Sequence, residues 1–158
     1  METNPKAMVG YGPHGGYPEG FGYWGYGTSF QVMLIAALES ALGTDNGLSK
    51  APGFMESARF MQYMTAPSGK CFCFSDSPVE AECNMMMFWF ASKVKDLSLL
   101  WIERQYLEKP NITFAEDRLL PSLMVFCSKL DLKKISQPKK KFWFSSGDTP
   151  LFIYRSGW

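Results

Sequence analysis

The chain has 158 residues and a net charge of +1, so it is long enough for one domain with a sizeable core. That near-neutral balance excludes a global electrostatic case for binding nucleic acid or a membrane surface. It is 46% hydrophobic and 20% charged, as globular chains are, but its aromatic share of 16% and its ten methionines are high.

The N-terminus, METNPKAMVG, has no apolar core of the signal-peptide kind, and no apolar run is long enough to span a bilayer. As written, the chain is expected to stay in the cytoplasm.

Gly10 to Gly27 reads GYGPHGGYPEGFGYWGYG, and eight of these eighteen positions are glycine. Glycine opens left-handed and close-approach backbone conformations. The other positions include Tyr11, Tyr17, Tyr23, Tyr26, Trp24, Glu19 and the only histidine, His14. Aromatic rings with a polar tip stack on a flat ligand and still hydrogen-bond. The composition predicts a ligand-facing loop, with sugars as the class of ligand.

TSFQVMLIAALESALG follows, with Thr28 or Ser29 as its N-cap and Gly43 at the left-handed C-terminal position. Phe30, Leu34, Ala37, Leu38 and Ala41 share one face, and the opposite face is nearly as apolar. Such a helix expects neighbours on both flanks. After the turn GTDNGLSK, Pro52 opens a second helix that runs to about Met64. KCFCFSDS alternates and predicts a short strand or an extended crossing. Asn84 is positioned to cap a third helix, NMMMFWFASKV, and Asp96 a fourth, DLSLLWIERQYLE. The pattern breaks at Pro110 in LEKPNITF. A fifth helix, AEDRLLPSLMVFCSKL, either carries Pro121 in its interior or restarts there. The run Met85–Met87 with Phe88, Trp89 and Phe90 reads as core rather than as a peptide groove.

From Ser136 the character changes. SQPKKK is a linker, and its lysines read as solvated rather than as a nucleic-acid patch. KFWFSS and PLFIYRSGW are β-rich, with a turn at Gly147-Asp148 between them. The second piece alternates Leu151, Ile153 and Arg155 against Phe152, Tyr154 and Ser156. A sheet this small is not stable alone, and both ends of the chain look cut from something larger. Cys71 and Cys73 form CxC, which supports zinc only weakly. The four cysteines, with Cys83 and Cys127, read as small hydrophobes, and no metal or cofactor is expected.

GGYPEGFGYWGYGTS, AALESALGTDNGLSKAPGF, MQYMTAPSGKCFCFSDS and TPLFIYRSGW, in that order, resemble the heparinase II/III-like polysaccharide lyases, most closely those of gut Bacteroidetes. The likeness runs from about Lys6 to Trp158. It implies a mainly α chain: residues 1–135 as the C-terminal part of an α/α toroid of about five helices, then residues 136–158 as a linker and the first one or two strands of an antiparallel β-sandwich. It also implies relatives that are periplasmic or secreted, and zinc, where it occurs, only in the sandwich.

The implied activity is β-elimination on a uronic-acid-containing polysaccharide. Such a lyase must neutralise the uronate carboxylate, remove the proton beside it and protonate the leaving oxygen. Tyrosine is a ready acid at neutral pH and a base only when its neighbours favour the phenolate. By the resemblance, Tyr23 in PEGFGYW is the general acid/base, with Tyr26 as the fallback and Tyr17 behind it. The alternative for Tyr23 is an aromatic that packs the loop on the first helix. Glu19 binds a sugar hydroxyl or orients the tyrosine; the alternative is an acceptor for backbone N–H groups in the loop. Trp24 is a sugar-stacking platform or a hydrophobic anchor, and Arg155 pairs with a substrate carboxylate or forms a salt bridge. His14 stands where relatives carry a short acidic residue and reads as an ordinary surface histidine. The family's catalytic histidines would lie outside this chain, so the isolated chain is expected to be inactive. The rival readings are a non-catalytic carbohydrate-binding or interaction module and a truncated remnant.

Overall fold

The computed structural model describes residues 4–109, 119–147 and 150–158. The helices are α1 Asn4–Met8, α2 Gly20–Leu42, α3 Ser57–Met64, α4 Met86–Val94, α5 Trp101–Leu107 and α6 Leu120–Cys127. Strands β1 Phe142–Ser145 and β2 Leu151–Tyr154 close the chain as an antiparallel pair in which Phe142 faces Tyr154 and Ser145 faces Leu151. The chain is therefore mainly α with a small C-terminal sheet, as its sequence predicts. The predicted break at 110–114, the start of the fifth helix at 115–118 and the turn residue Asp148 lie outside the described residues.

The largest departure from expectation is at α2. The glycine-rich segment is a loop only as far as Glu19, and helix begins at Gly20 instead of beside Thr28 and Ser29. Glycine inside a helix costs about 1 kcal/mol relative to alanine, so local propensity argues for the later start. Packing overrides it. Gly20 has φ +79°, and a Cβ there would stand 2.7 Å from the Phe74 carbonyl oxygen. This end of α2 therefore lies directly on the 74–78 crossing, and the Ser77 hydroxyl accepts the Gly22 N–H at 3.1 Å, closing the first turn from a distant loop. Thr28 and Ser29 are mid-helix and buried. Their hydroxyls bond Tyr11 Oη at 2.9 Å and the Gly25 carbonyl at 2.5 Å. At the other end Gly43 takes the expected left-handed conformation.

Residues 51–56 form turns, so α3 starts later than Pro52 predicts. Gly53 sits at φ +79°, where a Cβ would stand 2.8 Å from the Gly15 N, and that close crossing of two loops holds the first turn out of helical geometry. Asn84 and Asp96 perform as caps: their side-chain oxygens accept the N–H groups of Met86 and Ser98, each at 3.0 Å. A 3₁₀ turn, Leu97–Leu100, leads into α5. Pro121 lies in the first turn of α6, so the helix begins there rather than enclosing it. The KCFCFSDS stretch is the extended crossing, held by isolated bridges from Thr65 to Cys71 and from Lys70 to Glu80.

The core is aromatic. Phe54 packs edge-on against Tyr11 at 5.0 Å and tilted against Phe90 at 5.4 Å, and Trp24 meets Phe90 at 5.8 Å. Met85 to Ala91 are all buried, so the methionine run is core. α2 packs on α3 and α4, α4 on α6, and β1 on α3.

The hairpin does not hang free. Trp143 packs against Phe60 at 5.7 Å, and Tyr63 Oη donates to the Lys140 carbonyl at 2.8 Å. The Arg155 guanidinium donates to carbonyls at the C-terminal end of α3, closest at Thr65 O, 2.6 Å. Its other side lies 4.0 Å over the Trp158 ring. A cation at a helix C-terminus satisfies orphan carbonyls and opposes the helix dipole. Arg155→Ala should lower unfolding stability by about 2–4 kcal/mol, read from urea titration, because it leaves those buried carbonyls without a donor.

Candidate functional site

On α2, residues 23, 26, 30 and 33 fall on one side of the helix. The exposed large side chains on that side are Tyr23 at 42%, Tyr26 at 60%, Phe30 at 47% and Met33 at 41%. Tyr26 packs edge-on against Phe30 with centroids 5.2 Å apart. Glu19 is exposed and immediately precedes the helix. It lies close enough to Tyr17 that its carboxylate, second to burial, raises the Tyr17 pKa. Tyr17 also stands 5.4 Å from the Tyr11 ring. Tyr23 and Tyr26 thus share one accessible side near the N-terminal end of α2, with Glu19 exposed just before it.

Trp24 and Arg155 are not available in the way the substrate-binding reading requires. Trp24 is 0% exposed, so it cannot present a ring face to a sugar; it is the hydrophobic anchor of α2 in the core. Arg155 is buried, with Nη1 and Nε on backbone carbonyls and Nη2 without a partner, and no carboxylate engages it among the described residues.

A concave region lies between α3 and the hairpin, a cleft of about 510 Å³. His14, Glu56, Arg59, Tyr63, Lys139, Lys140 and the aromatics of β1 line it, whereas Tyr23 and Tyr26 do not. Arg59 is committed within the wall: it pairs with Asp96 and donates to Gln62 Oε1 at 2.8 Å. Burial opposes charge on Asp96, yet the Ser98 hydroxyl and the Arg59 guanidinium hold its carboxyl below the ordinary range. His14 is not an isolated surface residue. Its Nδ1 meets Ser146 Oγ at 3.0 Å, and its ring tilts against Phe144 at 5.3 Å. Nothing local in the sequence joins residue 14 to 146; only the folded hairpin does.

The sequence reading also passed over Glu103. Its signal was available: Leu99, Leu100, Glu103 and Tyr106 fall at helical spacing on the face that is buried. Glu103 is 3% exposed, and its Oε2 has no hydrogen-bond partner. Burial pushes its pKa up to about 8, against weaker help for the ionised form from the backbone N–H groups of Glu103 and Asn84. The cysteines are free thiols, and burial raises those of Cys71 and Cys127 to about 11. Among the described residues no three His, Cys, Asp or Glu side chains converge as metal ligands, and no helix is long and apolar enough to cross a membrane.

No protein-family model matches the chain, and no curated protein matches it.

The buried acid has a pH consequence. Between the ordinary value of 4.5 and the folded value of about 8, the folded chain keeps a proton that the unfolded chain has released. Stability therefore falls as pH rises through that window. Glu103→Gln should leave the urea midpoint near that of the parent at about pH 4 and raise it at about pH 8, where the parent carries the cost of a buried acid.

Proposed function

We propose that this chain is part of a polysaccharide lyase that cleaves uronic-acid-containing polysaccharide by β-elimination, with Tyr23 as general acid/base. The observation that carries the reading is the placement of Tyr23. It stands 42% exposed in the first turn of a helix whose opposite side is buried, one turn from Tyr26 and four residues from Glu19. An acid/base group must reach the substrate oxygen and must be held still while it does so. Of the aromatic residues in the Gly10–Gly27 segment, Tyr11, Phe21 and Trp24 are buried and Tyr17 is half-buried, which leaves Tyr23 and Tyr26 open. The resemblance selects Tyr23 between them.

In this reading Tyr23, as phenolate, takes the proton beside the uronate carboxylate. That C–H electron pair becomes the ring double bond as the bond to the glycosidic oxygen breaks, and Tyr23 passes the proton to the departing oxygen. Tyr26 and Glu19 bind sugar hydroxyls beside it, Tyr26 through its ring and phenol and Glu19 as an acceptor. The groups that neutralise the uronate carboxylate come from protein beyond these residues, as the family likeness implies. Trp24 serves by fixing α2 in the core, and Arg155 by tying the hairpin to α3.

Incubated with heparin-like or alginate-like polysaccharide, the 158-residue chain should release no unsaturated uronate. In a longer polypeptide that carries the remaining toroid and sandwich, Tyr23→Phe should lower turnover by roughly 10²–10⁴-fold with KM little changed. Product from the short chain overturns the expectation that it is inactive alone, and full turnover in Y23F sinks the role given to Tyr23. Polysaccharide binding that ignores Tyr23→Phe, without cleavage by the longer protein, identifies a binding module instead.

A further inference from the structure

The cleft between α3 and the hairpin has a lopsided chemistry. Arg59 and Asp96 neutralise each other across its wall. Lys139 and Lys140 remain: both side chains are exposed, and neither has a carboxylate within ion-pair reach among the described residues. Glu56 is the one acid in the lining that Arg59 does not neutralise. The hydrogen-bonding groups lean the same way. Ser146 engages His14 Nδ1 through its hydroxyl at 3.0 Å and its N–H at 3.4 Å, which leaves Nε2 as the ring nitrogen open to a ligand. An ammonium group is a donor only. Two lysine ammonium groups and an imidazole therefore share the cavity with one carboxylate, Glu56, that Arg59 does not neutralise.

The rim beside these donors is aromatic, formed by residues on the face of the hairpin opposite the Trp143 that packs on α3. Phe142 is 49% and Phe144 51% exposed, and Phe144 already holds the His14 ring against it. The volume, about 510 Å³, falls within the range of small-molecule sites. Lysine acts on phosphate as a point charge without demanding planar geometry, and two lysines match the two charges of a phosphomonoester.

We infer that this cleft binds a phosphomonoester carried on a ring, with the phosphate at Lys139, Lys140 and His14 and the ring against Phe144. A sugar phosphate and a mononucleotide share this chemistry. The site is separate from Tyr23, so its occupancy does not depend on the lyase reading.

Calorimetric titration of the chain with glucose 6-phosphate, AMP, glucose, inorganic phosphate and glucuronate tests it. At least one of the two phosphomonoesters should bind about tenfold or more tightly than glucose, inorganic phosphate and glucuronate alike. Lys139→Ala/Lys140→Ala should weaken that binding about tenfold or more while leaving the melting temperature unchanged, because both side chains are exposed. Phe144→Ala should narrow the gap between the phosphomonoester and inorganic phosphate. A preference for AMP identifies a base ring as the aromatic partner, and a preference for glucose 6-phosphate a sugar. Glucuronate binding as tightly, neither phosphomonoester exceeding inorganic phosphate, or affinity that survives the double lysine variant overturns the assignment.

Discussion

The buried Arg155 guanidinium is the contact on which the junction of helix and sheet depends. A two-stranded hairpin has too little hydrophobic face to persist alone. Here its last arginine reaches the carbonyls that α3 leaves unsatisfied at its C-terminal end, with Thr65 O at 2.6 Å. The same arginine lies over Trp158, whose indole N–H in turn donates to the Lys140 carbonyl at 3.0 Å. Tyr63 donates to that carbonyl as well, so the segment entering β1 and the end of the chain are pinned to one helix. The cleft exists because of this closure: its α3 wall carries Arg59 and Tyr63, and its other wall carries Lys139, Lys140 and β1.

α2 shows how one helix serves two purposes. Its N-terminal turn lies against the 74–78 crossing, closer than a side chain at Gly20 would permit. Trp24, Val32 and Ile35 sink its inner side into the core. That burial settles which residues face outward, and Tyr23 and Tyr26 are among them. Access at Tyr23 is thus a by-product of burial at Trp24, its neighbour in sequence.

Features encoded by short-range chemistry were legible. Asn84 and Asp96 cap their helices, Gly43 ends α2 in the left-handed conformation, and the Met85–Phe90 run is core. The alternation in the last strand is real: Leu151 and Ile153 turn inward while Phe152 and Tyr154 are exposed. What the sequence concealed depends on partners far along the chain. Helix through Gly20–Gly27 contradicts local propensity and is selected by contact with residues more than fifty positions away. Arg155 looked like a ligand for a carboxylate because its carbonyl partners on α3 are invisible in a linear reading. His14 gained a neighbour 132 positions away. Glu103 is concealed differently, as a charged letter at helical spacing among the apolar residues Leu99, Leu100 and Tyr106.

The outer side of the hairpin carries a further consequence. Phe142, Phe144, Phe152 and Tyr154 are all about half exposed or more, and each strand of the two-stranded sheet has one unpaired edge. Unpaired edges beside aromatic surface are templates for strands of other molecules. Refolding from denaturant is then a contest between reactions of different order. Docking of the hairpin on α3 is unimolecular and indifferent to concentration. Edge-to-edge pairing is bimolecular and accelerates with it. Dilution favours the native closure.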